Sequence, residues 1–366
     1  MVVGVEKSLN KDIESIPDTM NACLFYGPYD IRYEKLPMPK INENEILVKV
    51  NTALTCGTDL KTFQRSHPKL IKSIPSTFGH QFSGTVAKMG KNINKFKMGD
   101  KVIALNSAPC FNCIYCNKKE FSLCENIEFL NGAYADYIAI PERIVKHNTH
   151  IVPEEIDFNS AAALESLAVV AHGFNRSEIT KEKTICILGT GSIGLMFVAL
   201  ANLNNVKVIS IGRKEHKLKV AKDLGADHVI NLTQYKDEQM LLKEVRTLTN
   251  GIGPDVVIEA VGLPNLWELA TKIVRRGGLV NFFGGCKKET KVELDTYRIH
   301  YDELKLLGVF HHTPFYVEEA LNLLKNHLTI REALKKIITH TFPLSKLKDA
   351  LLMHESGEAI QVAIKP

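Results

Sequence analysis

One hexapeptide constrains this chain more than any other. Gly189-Thr190-Gly191-Ser192-Ile193-Gly194 directly follows the apolar run TICIL and opens the apolar stretch SIGLMFVALANLN. A glycine-rich turn between a strand and a helix permits a tight bend and close backbone approach to a pyrophosphate. Its third glycine lets helix and strand pack closely, and the helix N-terminus presents amides to the phosphates. The flanking pattern fits. Strand-like runs KTICIL, VKVISI, DHVIN, DVVIEAVG and GGLVNFFGG alternate with helix-like runs SIGLMFVALANLN, HKLKVAKDLGA, QMLLKEVRTLTN and LWELATKIVRR. This alternation predicts a parallel, doubly wound α/β sheet. Gly189, Gly191, Ser192, Ile193 and Gly194 are therefore the expected cofactor-binding residues.

The end of the second strand selects the dinucleotide. An acid there would bond the ribose hydroxyls of NAD and repel a 2′-phosphate. This chain has Gly212, then Arg213 and Lys214. The glycine removes the acid and leaves room, and the two cations can hold the phosphate, Arg213 through its bidentate fork. NADP is expected over NAD. The alternative is a solvated strand end, and Ser210 within the strand is a weaker candidate.

Before residue 160 the chain reads differently. ACLFY, RYEKLPMP, EILVKVNTALT, SGTVAKMG and DKVIAL are β-rich runs bounded by Gly, Pro, Asn or Asp. SAAALESLAVVAHGFNR then reads as helix, and the chain closes with helices FYVEEALNLLKNHL and LSKLKDALLMHES and the strand AIQVAIK. With 46 basic against 41 acidic residues, the net charge of +5 makes no case for a nucleic-acid partner. The start becomes charged before an apolar core develops, and the longest apolar run, CILGTGSIGLMFVALA, is interrupted by glycines. No leader and no membrane span are expected, and the cytoplasm is the expected location.

Four of the eight cysteines cluster in PCFNCIYCNKKEFSLC: Cys110, Cys113, Cys116 and Cys124. Four thiolates this close suit a closed tetrahedral zinc site that pins a long loop. An iron–sulfur cluster is the alternative, without either common ferredoxin spacing. Upstream lie TCGTDLKTF, with Cys56, Thr58 and Asp59, and FGHQFSGTVAKMG, with His80.

Together CGTD, the glycine-spaced GHQ motif from Gly79 to Gly90, the four-cysteine lobe and GTGSIG resemble the medium-chain, zinc-dependent alcohol and polyol dehydrogenase family, over nearly the whole chain from about residue 21. ALESLAVVAHG is closer to the sorbitol (L-iditol) dehydrogenase-like branch, because Glu165 stands where the alcohol branch has Cys. The resemblance implies a GroES-like β-rich catalytic domain, residues 1–174 with 312–366 returning to it, and an inserted Rossmann NAD(P)-binding domain, residues 175–311. It implies a catalytic zinc held by Cys56 and His80, with Glu165 as third ligand or holder of the zinc-bound water. Asp59 would orient His80, and Thr58 would receive the alcohol proton. It also implies a small alcohol, polyol or ketone substrate and a homodimer or homotetramer. A zinc ion with an open position polarises the substrate oxygen, and the protein aligns carbon and nicotinamide.

Two residues depart from the family pattern. Gln81 replaces the usual Glu after His80, and an amide is a poor zinc ligand. Gln81 is therefore expected outside the ligand set, where the missing negative charge leaves the zinc a stronger acid. Lys61 stands where many relatives carry a proton-relaying histidine, and the proton exit stays unassigned. His172, His311 and His312 border the expected cleft; His312 or Phe78 is expected to line the substrate pocket, and Trp267 to be core or interface. The alternatives are a metal-free enone or quinone reductase of the same superfamily and a non-enzymatic, zinc-stabilised nucleotide-binding protein.

Overall fold

The computed structural model describes residues 16–366; residues 1–15, on which most of the no-leader expectation rests, lie outside it. The glycine-rich turn sits where the pattern puts it. Six strands form one sheet in the order His228–Asn231, Lys207–Gly212, Thr184–Leu188, Val256–Glu259, Leu279–Phe282 and Lys305–Gly308. Every neighbouring pair is parallel. Numbered along the chain, that order is 3-2-1-4-5-6, with its reversal between Thr184–Leu188 and Val256–Glu259. In such a sheet the ligand crevice lies outside the carboxyl ends of the strands at that reversal. Gly189 follows one of the two strands and Ala260 the other.

The helix Ser192–Leu203 starts at Gly191 in extended conformation. Its third glycine is required by contact: a Cβ on Gly194 would lie 1.9 Å from the Gly189 carbonyl oxygen. A Cβ on Gly191 would meet nothing within 4 Å, which leaves the turn open toward the crevice.

The β-rich part is organised by Ile46–Leu54, whose residues are buried except Lys49 and Asn51. Such a run turns little of itself to solvent, and it is covered on both edges. Phe82–Met89 pairs with it on one side, Tyr137–Ile140 and the last strand, Gln361–Lys365, on the other, all antiparallel. Ile338–Pro343 joins the far edge in parallel with Gln361–Lys365. Phe25, Val48, Phe82, Leu347, Leu351 and Ile364 share one core, so the first described strand and the C-terminal elements are folded together.

The helical pattern over 160–176 is realised as two helices, Phe158–Ala162 and Leu164–Arg176, separated at Ala163. The helices Pro314–Asn326 and Leu328–Ile337 bury Val317, Leu324, Ile330 and Leu334 in the same core as Leu164, Ile187 and Leu195. Chain after the expected 311/312 boundary thus packs in a core shared by both parts, which also holds Leu54 and Ile103, before it joins the β-rich sheet from Ile338 onward. No helix among the described residues is long and apolar enough to cross a membrane.

The Gly194 contact generates a test. Gly194→Ala forces the turn away from the helix, and overpacking of this kind costs about 1–3 kcal/mol. Chemical denaturation should show that loss together with weaker dinucleotide binding; unchanged values for both would refute the contact argument.

Candidate functional site

A cleft of about 1410 Å³ runs between the parallel sheet and the β-rich part. Its walls include Cys56, Thr58, His80, Glu165, Ile193 and His311. Cys56 caps the helix Gly57–Arg65: its own backbone is extended, and its N–H donates to Asp59 Oδ2 at 3.0 Å. That is the reach-back half of a capping box, in which an acid three residues into the helix bonds the cap amide. Asp59 has a second task. Its Oδ1 lies 3.0 Å from His80 Nδ1, and Tyr134 Oη donates toward Oδ2 at 3.0 Å. His80 is thereby turned so that Nε2 comes within 3.4 Å of Cys56 Sγ.

Asp59, His80 and Cys56 are all buried. Burial raises the Cys56 thiol, reinforced by the Asp59 charge and opposed by His80. Burial opposes charge on His80, but Asp59 and Cys56 outweigh it and raise its pKa well above the usual value. Asp59 ends below its ordinary value despite burial, because His80, Cys56 and Tyr134 favour the carboxylate. A soft sulfur and an imidazole nitrogen held this close, with a carboxylate on the far ring nitrogen, fit a zinc ion.

Glu165 enters from the first turn of the helix Leu164–Arg176. Gln81 Nε2 donates to Glu165 Oε2 at 2.6 Å and lies 2.7 Å from Ser166 Oγ. Gln361 Nε2, on the last strand, donates to Gln81 Oε1 at 3.2 Å. The amide therefore holds the carboxylate, and the end of the chain holds the amide. Burial raises the Glu165 pKa against the opposing influence of His80 and Gln81. A ring nitrogen of each of His311 and His312 and an oxygen of Glu165 also lie within 4.8 Å of one another. Burial pushes His311 down to about 3 and His312 well below its usual value, so both rings are neutral at pH 7.

Thr58 is half-buried in the cleft wall beside Cys56, and its hydroxyl makes no hydrogen bond to the described residues. Lys61 crosses the cleft: Nζ donates to Gly285 O at 2.9 Å, and burial lowers its pKa. Two expectations about the pocket change. Phe78 is buried in the β-rich core, edge-on to Tyr134 at 4.9 Å. His312 lies behind His311, which is the one that lines the cleft. Trp267 stacks on Phe282 at 4.2 Å, and its Nε1 donates to Gly284 O at 3.0 Å, so it forms part of the cleft wall.

The sulfurs of Cys110, Cys113, Cys116 and Cys124 lie within 4.8 Å of one another, and all four thiols are free. Cys124 and Cys110 are 3.4 Å apart, Cys110 and Cys116 3.9 Å. Zinc–sulfur bonds of ~2.3 Å in a tetrahedron place sulfurs roughly 3.8 Å apart, so the lobe fits one zinc ion. The backbone amides of Cys116 and Glu125 lower Cys113 to about 6, toward the thiolate that a metal needs.

At the second strand, Gly212 is packed: a Cβ there would lie 2.5 Å from Thr190 Oγ1. The glycine keeps the turn against the strand as well as omitting the acid. Arg213 and Lys214 are exposed, and Arg213 has no ion-pair partner among the described residues. Ser210 is fully buried and does not line the cleft.

Sequence reasoning missed Gln361, Tyr134 and Glu259. Glu259 is buried at the end of its strand and accepts the amides of Val261 and Gly262 at 2.9 Å, shaping the turn beside the glycine-rich loop. The acid inside DVVIEAVG was the available signal, since a buried carboxylate needs such partners.

This geometry has counterparts. The family described as alcohol dehydrogenase GroES-like domain matches residues 42–150, and that described as zinc-binding dehydrogenase matches 192–326. A sorbitol dehydrogenase of Bombyx mori is 31% identical over 352 residues, 94% of this chain and 97% of that protein. A sorbitol dehydrogenase of Bacillus subtilis is 29% identical over 361 residues, 96% of this chain and 99% of that one. Among solved structures, a zinc-binding dehydrogenase from Sinorhizobium meliloti 1021 bound to NADP superposes with a TM-score of 0.85 at 26% identity. It covers 96% of this chain and 100% of that one.

Glu259 gives the site a pH signature. Burial, opposed by the turn amides and Lys61, raises it to about 6. An unfolded glutamate titrates near ~4.3, so the folded state binds the extra proton between the two values. Its contribution, about 2 kcal/mol, is present below ~pH 4.3 and lost as pH rises through 6. Denaturation profiles of wild type and Glu259→Gln should diverge across that window; parallel profiles would contradict the raised value.

Proposed function

Because this chain belongs to the zinc-dependent medium-chain alcohol and polyol dehydrogenases, we propose that it interconverts a secondary alcohol or polyol and the matching ketone, with NADP as the preferred cofactor. The observation that carries the reading is the Cys56–His80 pair, 3.4 Å apart in the cleft wall beside Thr58 and Glu165. Cys56, His80 and Glu165 would hold a catalytic zinc, and the four-cysteine lobe a structural one. Bound zinc supplies Lewis acidity at the substrate oxygen, and the nicotinamide accepts or returns the hydride.

The chain's own residues do the rest. Asp59 fixes the His80 ring with Nε2 toward the cleft. The Thr58 hydroxyl, unengaged elsewhere, would accept the hydrogen bond of the alcohol and relay its proton by releasing its own toward the open cleft. Gln81 and Ser166 hold Glu165 in a single orientation. Phe282, Phe283 and Trp267 give the cleft an apolar wall that limits water around the reacting carbon. The glycine-rich turn and the N-terminus of Ser192–Leu203 receive the pyrophosphate, and Arg213 with Lys214 receives the 2′-phosphate. An assembly of two or four copies and a cytoplasmic location complete the reading.

A panel of polyols, sugars and simple secondary alcohols with each cofactor tests both parts. NADP should give the higher kcat/KM, and Arg213→Ala should lower that value on the order of 10–100-fold for NADP while leaving NAD nearly unchanged, since a charged hydrogen-bonding partner is worth ~1.5–3 kcal/mol. Equal efficiency with both cofactors in the wild type would end the NADP reading, and inactivity across the panel the alcohol reading.

Gln81 generates a second test. Gln81→Glu sets a carboxylate against the carboxylate of Glu165 and adds negative charge beside the zinc. The apparent pKa of the pH–rate profile should rise by about 1 unit. A profile unmoved by the substitution means the amide is not tuning the metal.

A further inference from the structure

The pair His311–His312 does more than close a loop. It follows the last parallel strand, Lys305–Gly308, and His311 holds a left-handed backbone with φ of 63°. A non-glycine residue there costs energy that surrounding contacts must offset, and such residues collect at functional sites. The contacts are specific. His311 Nε2 lies 2.6 Å from Ser107 Oγ, and His312 Nε2 lies 2.9 Å from Asn106 Oδ1. A carbonyl oxygen only accepts, so His312 Nε2 carries the proton and Nδ1 presents a lone pair. That Nδ1 is buried and has no hydrogen-bond partner. Orienting one imidazole nitrogen by an oxygen acceptor while the other points at nothing in the protein is how metal-ligating histidines are held. An unpartnered buried nitrogen is otherwise costly.

The third member is Glu165, whose carboxylate oxygen and the two ring nitrogens lie within 4.8 Å of one another. The set is separate from the Cys56, Asp59 and His80 group, which forms its own cluster at the same spacing. Gln81 Nε2, at 2.6 Å, engages Oε2 of Glu165, so Oε1 accepts no hydrogen bond from the described residues and is the oxygen that would bridge the two positions. Zinc–nitrogen and zinc–oxygen bonds of ~2.0–2.2 Å keep two ligands of one ion within roughly 4.2 Å, a spacing comparable to the limit within which these three atoms lie. One carboxylate and two neutral imidazoles are a donor set for a divalent zinc-like cation rather than for calcium or magnesium.

The geometry points to a second divalent-cation position in the cleft, formed by Glu165, His311 and His312 beside the Cys56–His80 pair, with Glu165 standing between the two. This inference is independent of which alcohol the protein handles and of its cofactor preference. It also gives the left-handed turn at His311 a purpose, since that turn sets both consecutive rings toward one carboxylate.

Crystals of the zinc-saturated full-length protein, measured on both sides of the zinc absorption edge, test it. The expected result is an anomalous peak within bonding distance of Glu165 and His312 Nδ1, besides the peak at the four sulfurs. Metal analysis should show one zinc ion fewer per chain in His311→Ala/His312→Ala, with the four-sulfur ion retained. No peak at that position under saturation overturns the inference, as does unchanged zinc content in the folded double variant. If that variant does not fold, the wild-type anomalous map alone decides. A peak confined to Cys56, His80 and Glu165 refutes the second position while leaving the dehydrogenase reading intact.

Discussion

The buried carboxylate of Asp59 is the point on which the site depends. It is 1% exposed, and isolated in such a place its charge would be untenable. Two hydrogen-bond donors and one ion-pair partner make it stable: the Cys56 amide, the Tyr134 hydroxyl and His80. Each belongs to a different segment, so satisfying one charge fixes a helix start, a core aromatic and a loop relative to one another. The same contacts aim the Cys56 sulfur and the His80 Nε2 at a common point. Helix capping and ligand orientation are one interaction here.

A second chain of contacts ties the site to the end of the polypeptide. Gln361 sits on the strand that pairs with Ile46–Leu54, and it bonds Gln81, which bonds Glu165. The residue expected as a departure from the family thus has a structural reason. An amide offers both a donor and an acceptor, so it can bridge a carboxylate on one side and another amide on the other. A glutamate at 81 would present only acceptors to Glu165. The orientation of Glu165 is consequently set by a strand added nearly two hundred residues later in the chain.

What was legible in the sequence follows from the range of each signal. The glycine-rich turn, the alternation of periods and the four-cysteine spacing are local, and the parallel sheet and the sulfur cluster follow from them directly. The strand Lys305–Gly308, the helix Leu328–Ile337 and the strand Ile338–Pro343 were not read. The first has only four residues, and the helix and strand abut at Ile337/Ile338 with no Gly or Pro between them. Tyr134 and Gln361 were illegible for another reason. Nothing near them in sequence suggests chemistry; their roles arise only when residues 75 and 280 positions apart are brought together. The resemblance to a family supplied Cys56, His80 and Glu165, but gave His311 and His312 only a place bordering the cleft.

Gly212 shows how two constraints can converge on one residue. Read alone, its meaning was electrostatic: no acid, hence room for a 2′-phosphate. The structure adds a steric condition, because a Cβ there would collide with Thr190 in the glycine-rich turn. Any side chain at 212 therefore requires Thr190 to move, whatever its charge. An acid at this position would have to be accommodated by a different residue at 190 as well. The proposed cofactor preference would thus rest on a pair, Thr190 and Gly212, with Arg213 supplying the charge. Inserting an acid at 212 alone would disturb the glycine-rich turn through Thr190, whatever that turn binds.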